Sequence, residues 1–318
     1  MSAGILARLV LLGAIWGSSY LFMRITVPAI GAAPTAGGRL ALAALLLVLL
    51  VRAMGRRLEW RARWRDYLVV GLLSSGVPFL LFAYAAHHLP AGHSALLNST
   101  TPLFAVLVAF ATTGFRPSAS KSLGVLVGIA GVAILAGFST VAWSGGVALA
   151  FGACLLAALL YALAATQIRK RFAGADPVVV AAGSMVAAAL LVGPAALYEL
   201  PSAWPATGPL AALVVLGVLC TAFANVIYFG LVKEAGAERA TTVTFLMPVF
   251  AQVWGTLFLG EAASVATLAG LGLVLFAVAL VFERLPDPAR VLATIERFGA
   301  LYTPRGIEPI RPLRPPCR

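Results

Sequence analysis

Charge is scarce in this chain: Asp, Glu, Lys and Arg make up 11% of the 318 residues, against 61% hydrophobic ones. A soluble domain carries about 25% charge, so the composition excludes a chain folded in water around one core. Carboxylates are scarcer still, 11 in all, and each falls in a loop, at a helix end or in the tail. A carboxylate at the centre of a bilayer costs about 2.5–3.5 kcal/mol on insertion scales. Their absence from the apolar runs argues against a proton or sodium relay through an embedded acid. Cysteine is limited to Cys154, Cys220 and Cys317, two of them inside apolar runs, so no disulfide framework is implied. Histidine is limited to His87, His88 and His93, clustered at one turn without further ligands for a metal. Interfacial placement is expected of them, with a pH-sensing gate as the alternative. No Walker-type loop, no H-E-x-x-H and no serine beside a buried histidine is present, which excludes the usual catalytic equipment.

What is abundant is apolar runs of about 20 residues, the length a helix needs to cross about 30 Å of hydrocarbon. Ten are expected, at residues 5–27, 33–53, 67–87, 92–113, 121–139, 145–167, 177–197, 208–231, 239–259 and 263–283. The first continues past Tyr20 without a small-residue cleavage site, so it reads as a retained span and not a signal peptide.

The net charge of +12 falls on one side of these spans. With a cytoplasmic N-terminus, the inside segments hold Arg8, then Arg52 to Arg65, then Arg116 and Lys121, Arg169 to Arg171, Lys233 and Arg239, and the tail. The outside loops hold no basic residue. This asymmetry predicts a multi-pass protein of the cell membrane with both termini cytoplasmic, and it explains the basicity without nucleic acid.

Sliding the chain along itself by 146 residues places Pro102 over Pro248, Gly71 over Gly217, Gly114 over Gly260 and Gly124 over Gly270. Near the start, one residue less pairs Arg24 with Arg169 and Gly38 with Gly183. Five spans per half make the second copy enter from the opposite side. Inverted repeats are the usual build of secondary transporters, with the site near the midplane between the copies.

These features together carry a resemblance. WGSSYLFMR in the first span, PTAGGR opening the second, the prolines of the fourth and ninth, and LGE before a glycine-rich tenth span resemble the drug/metabolite transporter superfamily, specifically its EamA group, over about residues 5–283. The resemblance implies a secondary transporter of small metabolites, often an exporter of amino acids or related compounds. Phe115 departs from it, standing where the second half has Glu261.

Candidate contacts follow from shared helix faces. Ser94, Asn98 and Thr101 share one face of the fourth span; Thr241, Thr244, Pro248 and Gln252 form a matching stripe on the ninth. In the stretch NSTTP the proline frees a carbonyl that protein or water must satisfy. A locally distorted helix lining a wet cavity is therefore expected, with Pro102 and Pro248 as hinges. The alternative is that the hydroxyls bond their own helix or glue neighbours. Ser75, Phe79 and Phe82 align with Thr221, Asn225 and Tyr228, and the amide of Asn225 with the hydroxyl-bearing ring of Tyr228 suits a zwitterionic or amide-bearing solute. Trp16 aligns with Tyr161, as walls from either half, with Ser19 one turn on from Trp16. Gly13 and Gly17 offer close helix packing on the other face. Glu261 is expected to be a cap or loop contact. Arg24 and Arg39 lie one to two turns from the outer surface, where they are expected to snorkel and position helices; attraction of an anion or carboxylate at the outer mouth is the alternative.

The expected fold is an all-α integral membrane protein of ten transmembrane helices in two inverted five-helix repeats, residues 1–140 and 141–283, followed by a basic, Pro-rich, disordered cytoplasmic tail, 284–318. The expected function is alternating-access export of a small metabolite held by Trp16, Ser19, Phe79, Asn98, Thr101, Tyr161, Asn225, Tyr228, Thr244 and Gln252. Its partners would be that solute and membrane lipids, without cofactor, metal or nucleic acid. A lipid-handling or structural membrane protein is the alternative: it should open a polar groove sideways to the bilayer, whereas a solute carrier should enclose its polar residues between the halves.

Overall fold

A computed structural model describes residues 3–114, 116–138, 141–203, 205–236 and 240–282; the tail at 284–318 lies outside them. The described residues are helical, without strand. Eight helices are long and apolar enough to cross a membrane: α1 (Ala3–Ile30), α2 (Ala32–Ala53), α3 (Trp60–Ala86), α4 (Ala91–Thr113), α5 (Ala119–Phe138), α6 (Gly145–Arg171), α7 (Pro177–Tyr198) and α8 (Thr207–Ala235). Two further apolar helices, α9 (Val243–Leu259) and α10 (Val265–Val281), have 17 residues each, about 25 Å of rise.

The helix boundaries have local causes. Ser144 caps α6 by accepting the Val147 N–H at 3.2 Å, and Ser264 caps α10 by accepting that of Thr267 at 3.1 Å. Asp176 accepts from Val178 and Val179, with Pro177 opening α7, where a missing N–H costs nothing. Gly114 and Gly260 close α4 and α9 in the left-handed conformation, at φ 65° and 66°.

Lipid-facing and core-facing sides are both apolar, so packing is set by side-chain size. Large residues such as Leu126, Leu149, Leu190, Leu257 and Phe258 stay exposed on the outer surface, as a hydrocarbon solvent allows. Small residues mark the helix crossings. A Cβ added to Gly17 would meet the Met247 carbonyl at 2.8 Å, and one added to Gly13 would meet Leu246 at 2.6 Å, so these glycines seat α9 against α1. Further contacts join α2 to α7, α5 to α10 and α3 to α6.

Four ion pairs gather at one end of the bundle: Arg8 with Glu234, Arg56 with Asp176, Arg63 with Glu59, and Arg171 with Asp66. At the opposite end, among the described residues, stands the pair Arg24–Glu261.

Candidate functional site

Three helices depart from regular α-geometry, and these departures shape the interior. α4 is interrupted at Ser99 and Thr100, just before Pro102, which has no N–H for the Asn98 carbonyl. Thr101 Oγ1 takes over that role, donating to the Asn98 carbonyl at 2.7 Å. Thr100 donates to Leu97 at 2.6 Å, and Ser99 shares its proton between Ala95 at 3.0 Å and the Thr244 carbonyl of α9 at 3.3 Å. The hydroxyls of NSTTP thus repair the break they sit in, and Asn98 keeps its amide at the cavity.

α3 and α8 each widen into a π-helical turn, at Leu72–Gly76 and Val218–Phe223. Such turns leave carbonyls without regular partners and recur at functional positions. In α8 the Leu216 carbonyl accepts from Thr221 Oγ1 at 2.8 Å, and Thr221 Oγ1 in turn accepts from Arg39 Nε at 2.7 Å. Asn225 Nδ2 donates to the Thr221 carbonyl at 2.7 Å, and its Oδ1 has no hydrogen-bond partner among the described residues.

These segments surround a cavity of about 500 Å³, within the range of pockets for small organic ligands. Trp16, Ser19, Phe79, Asn98, Thr101, Tyr161, Asn225, Tyr228 and Thr244 all line it. Trp16 packs on Tyr228 with ring centroids 5.3 Å apart, and Tyr161 on Phe82 at 6.2 Å, so the aromatic walls come from α1, α3, α6 and α8. Ser19 Oγ and Ser184 Oγ are buried without a partner, and both residues line the cavity. From the centre the lining continues along Ile168, Phe172, Ala175 and Pro177, toward the end where Arg169, Lys170 and Arg171 complete α6.

Gln252 lies outside this lining. Its Nε2 donates to Thr256 Oγ1 at 3.1 Å, and its Oε1 lies where a Cβ on Gly92 would stand. The expected stripe on α9 therefore divides: Thr244 faces the cavity, whereas Gln252, two turns on, presses against the start of α4. Thr256 donates onward to the Glu261 carbonyl at 2.9 Å, so Gln252 belongs to the support of Glu261.

Glu261 itself joins three elements. It accepts from Arg24 Nε at 3.2 Å and from the Ala91 N–H at 2.8 Å, and Arg24 Nη1 donates to the Ala86 carbonyl at 2.7 Å. A carboxylate at a helix start satisfies an orphan donor and meets the positive end of the helix dipole. The end of α1, the α3–α4 turn and the end of α9 are thereby tied shut opposite the basic end. His87, at this turn, has its imidazole pKa lowered, first by burial and then by His88 and Arg24. His93, at the start of α4, is 2% exposed, with both ring nitrogens unpartnered.

The largest departure concerns Arg39. Snorkelling to the surface was the expectation; instead the residue is 7% exposed and lines the cavity. Its guanidinium lies 3.9 Å from the Phe79 ring centroid. The sequence carried one usable clue, since Arg39 is seven residues into α2, about 10 Å along the helix, among small residues that leave room to fold inward.

The sequence profile of the EamA-like transporter family matches the chain twice, at residues 3–137 and 147–283. The chain belongs to the EamA-like transporter family. This EamA-like protein is a multi-pass membrane transporter by family, and curated relatives bear similar names. It is 29% identical over 255 residues to transporter YvbV of Bacillus subtilis, covering 77% of this chain and 81% of that one. It is 27% identical over 277 residues to inner membrane transporter YedA of Escherichia coli, covering 84% and 87%. A relative in Streptantibioticus cattleyicolor named "Probable terminal-alkyne amino-acid exporter" is 29% identical over 293 residues, covering 87% and 92%. A crystal structure superposes with a TM-score of 0.63 at 20% identity, covering 88% of this chain and 98% of that one, which shows a shared fold.

Proposed function

We propose that this EamA-like protein is an alternating-access secondary transporter that exports small, partly apolar metabolites, amino acids or related compounds, across the cytoplasmic membrane. The observation that carries the reading is the cavity of about 500 Å³, whose polar side chains come from both halves of the chain and are enclosed between them. The name of the Streptantibioticus relative supports the substrate class.

In this reading all ten helices cross the bilayer as two inverted copies. Several observations support it: the double family match, the π-helical turns at corresponding places in α3 and α8, the left-handed glycines that end α4 and α9, and the pairing of α2 with α7 and α5 with α10. By the positive-inside rule the basic end is cytoplasmic. The cavity then reaches toward the cytoplasm and is shut outside by Arg24 and Glu261, a state ready to load an internal solute.

The lipid-handling alternative needs a polar groove facing the bilayer. A surface groove between α1 and α9 is lined by Leu6, Val10, Leu11, Phe250 and Trp254 and gives a headgroup no polar partner there, which supports the solute carrier over lipid handling. Counterflow in reconstituted vesicles against a panel of amino acids and nucleosides tests the proposal. Saturable exchange of at least one solute is expected, and its absence across the panel counts against export.

A further inference from the structure

Among the described residues no carboxylate pairs with the charge of Arg39. Among the described residues Glu59, Asp66, Asp176, Glu234 and Glu261 each pair with another base, and Glu199 sits exposed at the end of α7. Among the described residues no carboxylate lines the cavity, and Arg39 is its one cationic side chain. A guanidinium has five N–H donors. Here Nε is held by Thr221 and Nη1 touches Met23 Sδ at 3.9 Å, while Nη2 has no hydrogen-bond partner among the described residues. A buried ion without a partner is costly, yet this one is held in place by Thr221 on one edge and Phe79 on one face.

We propose that Arg39 is the anchor of an organic-anion site, and that a carboxylate is the required feature of the substrate. The proposal rests on the transporter reading above and names the chemistry of its cavity. A single guanidinium matches one carboxylate in fork geometry, so a monoanion balances the site, whereas a phosphate dianion would leave charge unmatched. Trp16, Phe82, Tyr161 and Tyr228 receive the apolar body of the solute. Asn225 Oδ1 accepts a hydrogen bond from it but supplies no full charge, so an ammonium is accommodated without being required. Cations are repelled, since no acidic side chain among the described residues lines the cavity.

The test uses the full chain in phosphatidylcholine nanodiscs and calorimetric titration with four probes of one shape: 3-phenylpropionate, 3-phenylpropanamide, 2-phenylethylamine and phenylalanine. The acid and phenylalanine are expected to bind about tenfold or more tightly than the amide and the amine, the factor that a lost charge-assisted pair readily produces. Arg39→Gln should erase that difference, and Arg39→Lys should keep part of it. Equal binding of acid and amide overturns the proposal, as does undiminished acid binding by a folded R39Q protein, or no binding of the acid at all. If R39Q does not fold, the comparison of acid with amide on the unaltered protein decides. Displacement of the acid by added anionic lipid would assign the site to a headgroup and overturn the solute reading. Acid binding without counterflow would sink the transporter reading alone; counterflow of solutes lacking any carboxylate would sink this inference alone.

Discussion

Ser99 reaches across from α4 to the Thr244 carbonyl of α9, 3.3 Å away, the carbonyl that Pro248 leaves without its helical donor. One proline's defect is thus met by a hydroxyl placed beside the other proline, and the two proline-bearing helices are joined at the cavity wall. Bonds of this kind between helices in lipid are worth about 0.6 kcal/mol on average. Ser99→Ala should destabilise the protein by about that amount, and by close to nothing in a Pro248→Ala background, where an N–H again serves Thr244. Equal costs in both backgrounds, measured by unfolding in detergent, would show that the contact carries no coupling.

Arg24 and Glu261 pair at the end of the bundle away from the basic loops. Glu261→Gln keeps the shape but removes the ion pair, and loss of about 1.4 kcal/mol shifts a two-state equilibrium tenfold. A cysteine introduced as Phe82→Cys on the cavity wall, in a chain cleared of its own cysteines, should then be labelled several-fold faster by an impermeant thiol reagent from the Glu261 side. Unchanged labelling would mean that this network does not gate access.

An anion leaving alone carries charge, and a potential of 100 mV contributes about 2.3 kcal/mol per charge. With equal pH on both sides, an inside-negative potassium diffusion potential should accelerate 3-phenylpropionate efflux from proteoliposomes beyond that from empty vesicles. Phenylalanine, net neutral, should respond little. Equal responses of the two solutes would contradict electrogenic export.

Gly17 lies where α1 meets the backbone of α9, whereas Gly152 of α6 has nothing within 4 Å of an added Cβ. Gly17→Val should cost about 1–3 kcal/mol through overpacking and lower the thermal midpoint; Gly152→Val should be nearly neutral. Similar midpoints for the two variants would remove the packing argument.

Asn225 and Gln252 separate cavity from support. Asn225→Ala should weaken phenylalanine binding about tenfold or less, consistent with one lost hydrogen bond from its ammonium, and leave 3-phenylpropionate, which has no donor for Oδ1, little changed, while Gln252→Ala should leave both unchanged. A binding loss in the Gln252 variant, with an intact elution profile, would return that residue to the site.

Much of the architecture is written in local sequence. Long apolar runs, Pro177 after Asp176, and Gly114 and Gly260 after their helices set where helices begin and end, because capping and hydrogen bonding are satisfied within a few residues. The alignment of Asn98 with Thr244, and of Ser75 with Thr221, is legible because residues spaced by whole turns share a face. Each of these four residues lines the cavity. The hydroxyls of NSTTP were harder to read: cavity lining and carbonyl repair use the same side chains, and the structure has both.

What sequence alone determined is that this chain is made of membrane-crossing lengths of helix with basic residues collected on one side, and which residues travel together on a helix face. Tertiary structure alone decided which faces meet. It turned Arg39 inward to Thr221 and Phe79, carried Gln252 away from the cavity, and gave Glu261 both Arg24 and the start of α4. The reason is physical: in lipid, a helix side facing hydrocarbon and one facing another helix are equally apolar, so the pattern along one helix cannot name its neighbour. A long arginine side chain reaches either surface or interior, and only the groups waiting there choose between them.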